Sequence, residues 1–135
     1  MLKQFPDSVR IVFKNYPLKS HRFAEQAAAA ALAAGAQGKF WEFHDELLKQ
    51  YRHLNDKKIG EIARDLGLNK AAFERDRKDP LILKRIREDH EEGEGLEIRG
   101  IPTVFMNGRR IDSRDLRNIQ KIVADQLKKE SKKAK

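Results

Sequence analysis

The sequence offers few side chains that could carry nucleophilic, redox or metal chemistry. None of its 135 residues is cysteine, and its two methionines, Met1 and Met106, carry thioethers rather than thiols. Because a thiolate is the nucleophile of disulfide exchange and a common zinc ligand, thiol catalysis, disulfides and thiolate metal sites are excluded for this chain. The histidines show no metal-type pairing at helical spacing; they are His21, His44, His53 and His90. We therefore predict no catalytic residue, no metal ligand and no cofactor.

The clearest local structural signal lies in the last third of the chain. Asn107-Gly108 separates two short β-prone runs, Val104–Met106 and Arg109–Ile111. Both turn residues tolerate the positive φ of a type I′ turn, so the pattern predicts a β-hairpin. Ser113 is the predicted N-cap of a final helix. The apolar positions of that helix share helical spacing and are Leu116, Ile119, Ile122, Val123 and Leu127.

Upstream of the hairpin, the pattern predicts one strand and then a block of helices. In Val9–Phe13 apolar side chains alternate around Arg10, and Val12 makes the second face partly apolar, which favours a strand buried on both sides. Ser20 is the predicted N-cap of a helix that ends at Gly35. The later helices are predicted to begin near Gly38, at Asn55 or Asp56, at Asn69 and at Asp79, with the last ending at Gly93.

The helix that begins near Gly38 is rich in aromatic side chains. Its predicted apolar stripe consists of Phe40, His44, Leu47, Leu48 and Tyr51. The aromatic side chains of this segment are predicted to belong to the core; they are Phe40, Trp41 and Phe43. Because His44 falls on the stripe, we predict a packed, hydrogen-bonded core histidine rather than a base or a ligand.

The charge of the chain is strongly positive, with 29 Lys and Arg against 21 Asp and Glu and a net charge of +8. Five lysines fall in the last eight residues, Lys128–Lys135, which predicts a solvated basic tail; such tails are most often disordered ends and only sometimes contacts for nucleic acid or anionic lipid. The alanine-rich run Ala27–Ala34 is too short to span a bilayer, and the first residues show no export signal. We therefore predict no membrane partner, and the sequence leaves the compartment unknown.

Several segments, in the same order along the chain, resemble one known family. Val12–Leu18, Gln37–Asp45 and Gly100–Gly108 are similar to a strand with its proline turn, an inserted helix, and a proline loop with its hairpin in DsbA-like thioredoxin-fold oxidoreductases. Leu66–Leu68 and Phe73 fit the helices between them. The resemblance implies an α/β fold class: a partial thioredoxin-like fold with an inserted α-helical subdomain. It places one domain over residues 1–135, with 1–19 and 94–128 as the thioredoxin-like part, 20–93 as the helical insertion and 129–135 as a basic tail.

The departure from the family concerns its chemistry. DsbA-like proteins exchange protein disulfides through a Cys-x-x-Cys pair at a helix N-terminus, where the helix dipole and free amides stabilise the thiolate. The first strand and the helix that would carry this pair have no counterpart in the sequence, so the chain is expected to be a truncated member. The resemblance therefore implies a thiol–disulfide oxidoreductase family member without that activity, which leaves its status as an enzyme open. Such proteins are usually periplasmic or extracytoplasmic.

The resemblance also implies a substrate-binding loop at Ile101, Pro102 and Thr103. In the family, a cis proline here allows the preceding main chain to form β-type hydrogen bonds with an extended peptide. The alternative function is therefore a non-catalytic module that binds a peptide or an unfolded protein through this loop or an exposed sheet edge. A competing interpretation is that Pro102 only shapes the loop.

The strand without a counterpart bears on the oligomeric state. In the thioredoxin topology it lies between the strands matched by Val9–Phe13 and Thr103–Met106. Without it, two rows of backbone groups would lack partners, unless the two strands pair directly or the chain stays partly ordered. We favour a homodimer formed by exchange of a strand or another element.

A DNA-binding function is a weaker alternative. The order of helix, glycine-containing turn and second helix in Ile59–Phe73 is typical of a helix-turn-helix, and the net charge suits DNA. The second helix also carries Glu74, Asp76 and Asp79, so nucleic acid is not the expected partner.

Overall fold

The structure, a computed structural model, describes residues 3–133. The chain divides into two compact units, here called the helical unit, Lys14–Leu96, and the hairpin unit, Met1–Phe13 with Glu97–Lys135. The helical unit contains α1 (Ala24–Gly35), α2 (Phe40–Lys49), a 3-10 turn (Tyr51–His53), α3 (Asp56–Asp65), α4 (Lys70–Asp76) and α5 (Pro80–Gly95). The hairpin unit contains β1 (Val104–Met106), β2 (Arg109–Ile111) and α6 (Leu116–Lys133).

The core of the helical unit is built around the alanines of α1. This helix contacts α2, α3, α4 and α5, and small side chains allow such close approach of neighbouring helices. The larger core side chains come from the surrounding helices, and Phe43, Ile59 and Phe73 are the largest that are fully buried. The buried residues of the cluster are Ala27, Ala30, Ala31, Ala33, Ala34, Phe43, Leu47, Ile59, Ile62, Ala63 and Phe73.

Three predicted helix starts are confirmed by side-chain hydrogen bonds. Asn55 Oδ1 accepts the amide hydrogen of Lys58 at 2.8 Å before α3, and Asn69 Oδ1 accepts that of Ala72 at 2.9 Å before α4. Asp79 Oδ1 accepts the amide hydrogen of Leu81 at 2.8 Å, with proline at the first position of α5. Each cap satisfies an amide that has no partner within its helix.

Two other predicted N-caps are wrong by a few residues. Ser20 does not cap α1, which begins at Ala24, because backbone turns from Leu18 to His21 and from His21 to Ala24 intervene. Ser113 does not cap α6 either. The Oδ1 atom of Asp115 accepts the amide hydrogen of Arg117 at 3.0 Å instead, so the helix begins at Leu116.

The predicted strand at Val9–Phe13 is wrong for the described structure. In residues 3–133 the sheet consists of β1 and β2, which pair with each other in antiparallel register. A strand is defined by its backbone pairing with a neighbouring strand, and within residues 3–133 the structure gives such pairing to Val104–Met106 and Arg109–Ile111 and not to Val9–Phe13. The β-prone composition alone therefore does not produce a strand.

The predicted hairpin is confirmed. Met106 pairs with Arg109, and the two turn residues, Asn107 and Gly108, have φ values of 49° and 78°. Positive φ at both central positions is the type I′ geometry that an Asn-Gly pair favours. The hairpin therefore has the register predicted from local turn chemistry.

The predicted buried stripe of α2 is wrong in part. Leu47 is buried, but Leu48 and Tyr51 are each 60% exposed and Trp41 is 43% exposed. The buried face is instead formed by Phe43 and Leu47. The contacts of α2 with α1 and α3 rotate its core face away from the predicted stripe.

The basic C-terminal segment is not disordered as predicted. Residues up to Lys133 continue α6, while the last residues of the predicted tail lie outside the described residues. Lysine is a good helix former, and the positive charges of Lys132 and Lys133 in the last turn interact favourably with the negative end of the helix dipole. Charge alone therefore does not end this helix.

The helix α5 runs two residues past its predicted end, to Gly95.

Candidate functional site

The loop from Gly100 to Thr103 is the candidate site. It leads directly into β1, and the Ile101–Pro102 peptide bond is cis. The Thr103 hydroxyl donates a hydrogen bond to the carbonyl oxygen of Gly100 at 2.6 Å, so the side chain closes the loop across its base. A threonine directly after the proline therefore has a local structural role, because its hydroxyl reaches back over the turn.

Ile101 and Pro102 are both exposed, and 45% of the surface of Ile101 is accessible. Within residues 3–133, the backbone amide and carbonyl of Ile101 make no hydrogen bond. An extended segment placed beside this residue would thus find one donor and one acceptor, the pattern used in strand addition.

Two arginines lie next to this loop. Arg99 directly precedes Gly100, and Nη2 of Arg114 lies 3.6 Å from the point where a Cβ on Gly100 would stand. Both arginines are exposed, and neither forms an ion pair with a described carboxylate. The loop is therefore flanked by positive charge. Sequence reasoning missed Arg114, because its proximity to Gly100 depends on the path of the chain between β2 and α6.

The four histidines belong to the helical unit, and the structure does not bring them together. His44 is about half-buried, with its ring 5.7 Å from the Trp41 ring and Nδ1 3.4 Å from Oδ1 of Asp45. His90 stacks on Tyr16 at 4.4 Å between ring centroids. These contacts are packing interactions, and they do not form a catalytic arrangement.

A buried polar cluster in the helical unit was not predicted. Asp89, only 6% exposed, accepts two hydrogen bonds from Asn15 and lies 3.3 Å from Nζ of Lys14. A hydrogen bond to Glu92 and the nearby Asp89 raise the pKa of Lys14 above its ordinary value. The available signal was a carboxylate three residues after Ile86 on the apolar face of α5. The cluster holds the segment before α1 against α5 and is structural.

The α3–α4 pair does not present the free basic row of a DNA-binding helix. Nη1 of Arg77 bonds Oδ1 of Asp56 at 2.7 Å, and Nη2 lies 2.9 Å from Glu74 Oε2. Arg75 bonds Asp76 in the same helix. These cations are neutralised by carboxylates of their own unit, so they have little capacity left for phosphates.

The chain matches the family model described as DSBA-like thioredoxin domain over residues 1–124. Among solved structures it resembles a thioredoxin-like oxidoreductase from Silicibacter pomeroyi DSS-3, with a TM-score of 0.72 and 24% identity. That match covers 87% of this chain and 68% of the other. It establishes the thioredoxin-like fold, and the described residues form a mostly helical structure with a small two-stranded sheet.

The relatives that this chain matches are much longer proteins, and only a part of each is similar to it. The chain is 38% identical over 104 residues to Na(+)/H(+) antiporter NhaA 3 of Salinispora tropica, which covers 76% of this chain and 16% of the antiporter. It is 29% identical over 120 residues to the Na(+)/H(+) antiporter NhaA of Herminiimonas arsenicoxydans, covering 88% of the chain and 19% of the antiporter. The chain thus spans less than a fifth of the length of these relatives.

In the part of the chain that the structure describes, no helix is both long enough and apolar enough to cross a membrane. The family model nevertheless covers nearly the whole sequence, and the fold agrees with it. The chain therefore belongs to the DSBA-like thioredoxin domain family.

Proposed function

We propose that this chain is a DsbA-like domain that binds an extended polypeptide at the loop Ile101, Pro102 and Thr103 and does not itself exchange disulfides. The observation that carries the proposal is that Ile101 is exposed and that its backbone amide and carbonyl make no hydrogen bond within residues 3–133. The family supports the binding role, and the composition of the chain supports the lack of exchange.

The lack of exchange follows from chemistry rather than from geometry. Disulfide exchange requires a thiolate that attacks a disulfide sulfur and forms a mixed disulfide. These 135 residues contain no cysteine, and the thioethers of Met1 and Met106 have no proton to lose. The chain therefore has no group that could form the mixed-disulfide intermediate.

The binding role follows from the geometry of the loop. The Thr103 hydroxyl fixes the loop through the carbonyl of Gly100, so the Ile101 main chain is presented by a loop with few alternative conformations. A preorganised site loses less entropy when it binds, which favours recognition of an extended segment. The start of β1 directly after the loop gives that segment a continuous edge along which to lie.

An insulin-reduction assay tests the first half of the proposal. With the purified chain and dithiothreitol together, insulin should precipitate at the same rate as with dithiothreitol alone. A cysteine-containing thioredoxin serves as the positive control. A rate above background that co-purifies with this chain over successive columns would contradict the proposal.

An NMR titration tests the second half. An extended peptide rich in valine and threonine should shift the amide resonances of Ile101 and Thr103, while those of the helical unit stay fixed. Ile101→Pro removes the amide donor and should abolish these shifts, whereas Ile101→Ala keeps the donor and should retain them. Equal binding by both variants would show that the Ile101 main chain is not the site.

The names of the curated relatives do not extend the proposal to transport. The matched region is 16% of the Salinispora tropica antiporter and 19% of the Herminiimonas arsenicoxydans antiporter. Sodium–proton exchange is therefore not assigned to this chain.

The homodimer remains a proposal. In residues 3–133 each of the two strands has one edge that faces no other strand, and such edges favour pairing with a second chain. Sedimentation velocity over a range of concentrations should show a dimer. A compact monomer at all concentrations would remove the argument for exchange.

A further inference from the structure

The positive charge of the chain is concentrated in one of its two units. The hairpin unit contains thirteen Lys and Arg side chains against six Asp and Glu, a net charge of +7. The helical unit contains sixteen against fifteen, a net charge of +1. The hairpin unit, which carries the loop of the proposed function, therefore holds almost the whole excess of +8.

The two units also differ in how their charges are paired. Every ion pair among the described residues joins two side chains of the helical unit, from Lys14–Asp89 to His90–Glu94. Among the described side chains of the hairpin unit, no cation lies within ion-pair distance of a carboxylate. Its positive charge is therefore not neutralised internally and creates a field that extends into solvent.

Part of this unneutralised charge flanks the loop itself. Arg99 and Arg114 border Gly100 as described above, and both side chains are exposed. Guanidinium groups form forked hydrogen bonds with carboxylates, and Arg is favoured where carboxylates are recognised. Exposed apolar side chains accompany them, since Ile101 is 45% and Phe105 is 38% exposed.

We propose that the polypeptide bound at this loop is acidic: an extended segment that carries Asp or Glu for Arg99 and Arg114 beside apolar residues for Ile101. This inference rests on the proposed function and names its ligand class. The open main-chain donor and acceptor of Ile101 favour a peptide over a nucleic acid or a lipid surface, because neither of these supplies a backbone that pairs as a strand. Charge complementarity then selects among peptides and accelerates their association.

Fluorescence anisotropy with three labelled peptides tests the proposal on the full chain. The peptides share their valine and threonine positions and carry glutamate, serine or lysine at the others. The glutamate peptide should bind tightest and the lysine peptide weakest. The higher affinity of the glutamate peptide relative to the serine peptide should diminish as salt is raised from about 0.05 to about 0.5 M, because exposed charges are screened.

A pair of double variants separates local contacts from the general field. Arg99→Gln with Arg114→Gln should weaken the glutamate peptide about fivefold or more and leave the serine peptide within about twofold, as expected for two exposed ion pairs. Lys129→Gln with Lys132→Gln removes the same charge near the other end of α6, a helix of 18 residues and therefore about 27 Å long. This control should change binding less than about twofold. Circular dichroism should show that both double variants are folded like the parent.

The outcomes distinguish the ligand class from the site. Equal affinity for the glutamate and serine peptides overturns the acidic preference and leaves peptide binding at Ile101 intact. Equal weakening by both double variants also overturns it, since only the general field would then act. Tighter binding of a DNA oligonucleotide or of phosphatidylglycerol vesicles, with the glutamate peptide unable to compete, overturns it in favour of those polyanions. If none of the three peptides binds, the proposed function is overturned as well.

Discussion

Asp89 accepts two hydrogen bonds from Asn15 through one carboxylate oxygen, Oδ2, at 2.9 Å from the backbone nitrogen and 2.9 Å from Nδ2. Both residues are buried, with exposed fractions of 4% for Asn15 and 6% for Asp89. A residue of the segment before α1 is thereby tied to α5, 74 positions further along the chain. Because donor and acceptor are both removed from water, each depends on the other for its partner.

Asp89→Ala should destabilise the protein by about 3 kcal/mol. The substitution leaves the amide and Nδ2 of Asn15 buried without an acceptor, and the desolvation cost of such donors is then uncompensated. Urea unfolding followed by circular dichroism measures the change. Glu88→Ala is the control, because Glu88 is exposed and its one ion pair among residues 3–133 is with Lys84; it should change stability by less than about 0.5 kcal/mol. Equal effects of both substitutions would contradict this role of Asp89.

Two glycines of the helical unit should respond to alanine with opposite signs. Gly67 follows α3 with φ of +71°, where a Cβ is strained, so Gly67→Ala should cost about 1 kcal/mol. Gly60 lies within α3, and a Cβ there would meet nothing within 4 Å. Gly60→Ala should therefore stabilise the protein by about 0.5 to 1 kcal/mol. Thermal unfolding of the two variants gives the signs, and the same sign for both would be inconsistent with these backbone conformations.

Two aromatic residues of α2 should differ in their contribution to stability. Phe43 is fully buried with its ring 5.6 Å from that of Phe73, so Phe43→Ala should cost about 3 to 5 kcal/mol. Trp41 is 43% exposed, and Trp41→Ala should cost about 1 kcal/mol. Because Trp41 is the single tryptophan, unfolding must be followed by circular dichroism rather than by fluorescence. A larger loss for Trp41 would contradict this assignment and favour the prediction that Trp41 belongs to the core.

Asp56 should contribute a pH-dependent part of the stability. The hydrogen bond from Arg77 lowers the pKa of Asp56 below its ordinary value of 3.8. A carboxylate with a lowered folded-state pKa stabilises the protein fully above its unfolded pKa. That stabilisation is lost as the pH falls through the folded pKa.

Comparison with Asp56→Asn measures this contribution. At pH 6 the wild type should be more stable by less than about 1 kcal/mol, since the Asp56 side chain is 69% exposed and its ion pair is screened. The difference should begin to shrink as the pH falls below 3.8 and vanish at lower pH. Urea midpoints of both proteins from pH 6 to about pH 2 give the curve. A difference that grows on acidification would have the wrong sign for this ion pair.

The candidate site was located from the sequence, but its surroundings were not. The position of Ile101, Pro102 and Thr103 came from a resemblance carried by consecutive residues. The proximity of the Arg114 side chain to Gly100 depends on the path of the chain between β2 and α6. The separation of charge between the two units depends likewise on which segments pack together. Neither is visible in a count of basic residues.

The sequence by itself determined the features that are decided within a few residues. The caps at Asn55, Asn69 and Asp79 and the turn at Asn107-Gly108 form because a side chain or a permissive backbone acts on groups two or three positions away. The absence of cysteine, on which the proposed lack of disulfide exchange depends, is likewise a matter of composition alone.

The tertiary structure decided the rest. Whether Val9–Phe13 becomes a strand depends on a neighbouring strand, and which face of α2 is buried depends on the helices packed against it. Asp89 becomes a buried acceptor because Asn15, which is 74 positions away in the sequence, packs against it in the folded chain. Hydrogen bonding between strands, burial and ion pairing are all interactions between distant segments, so their outcome is set when the chain folds and not by the local sequence.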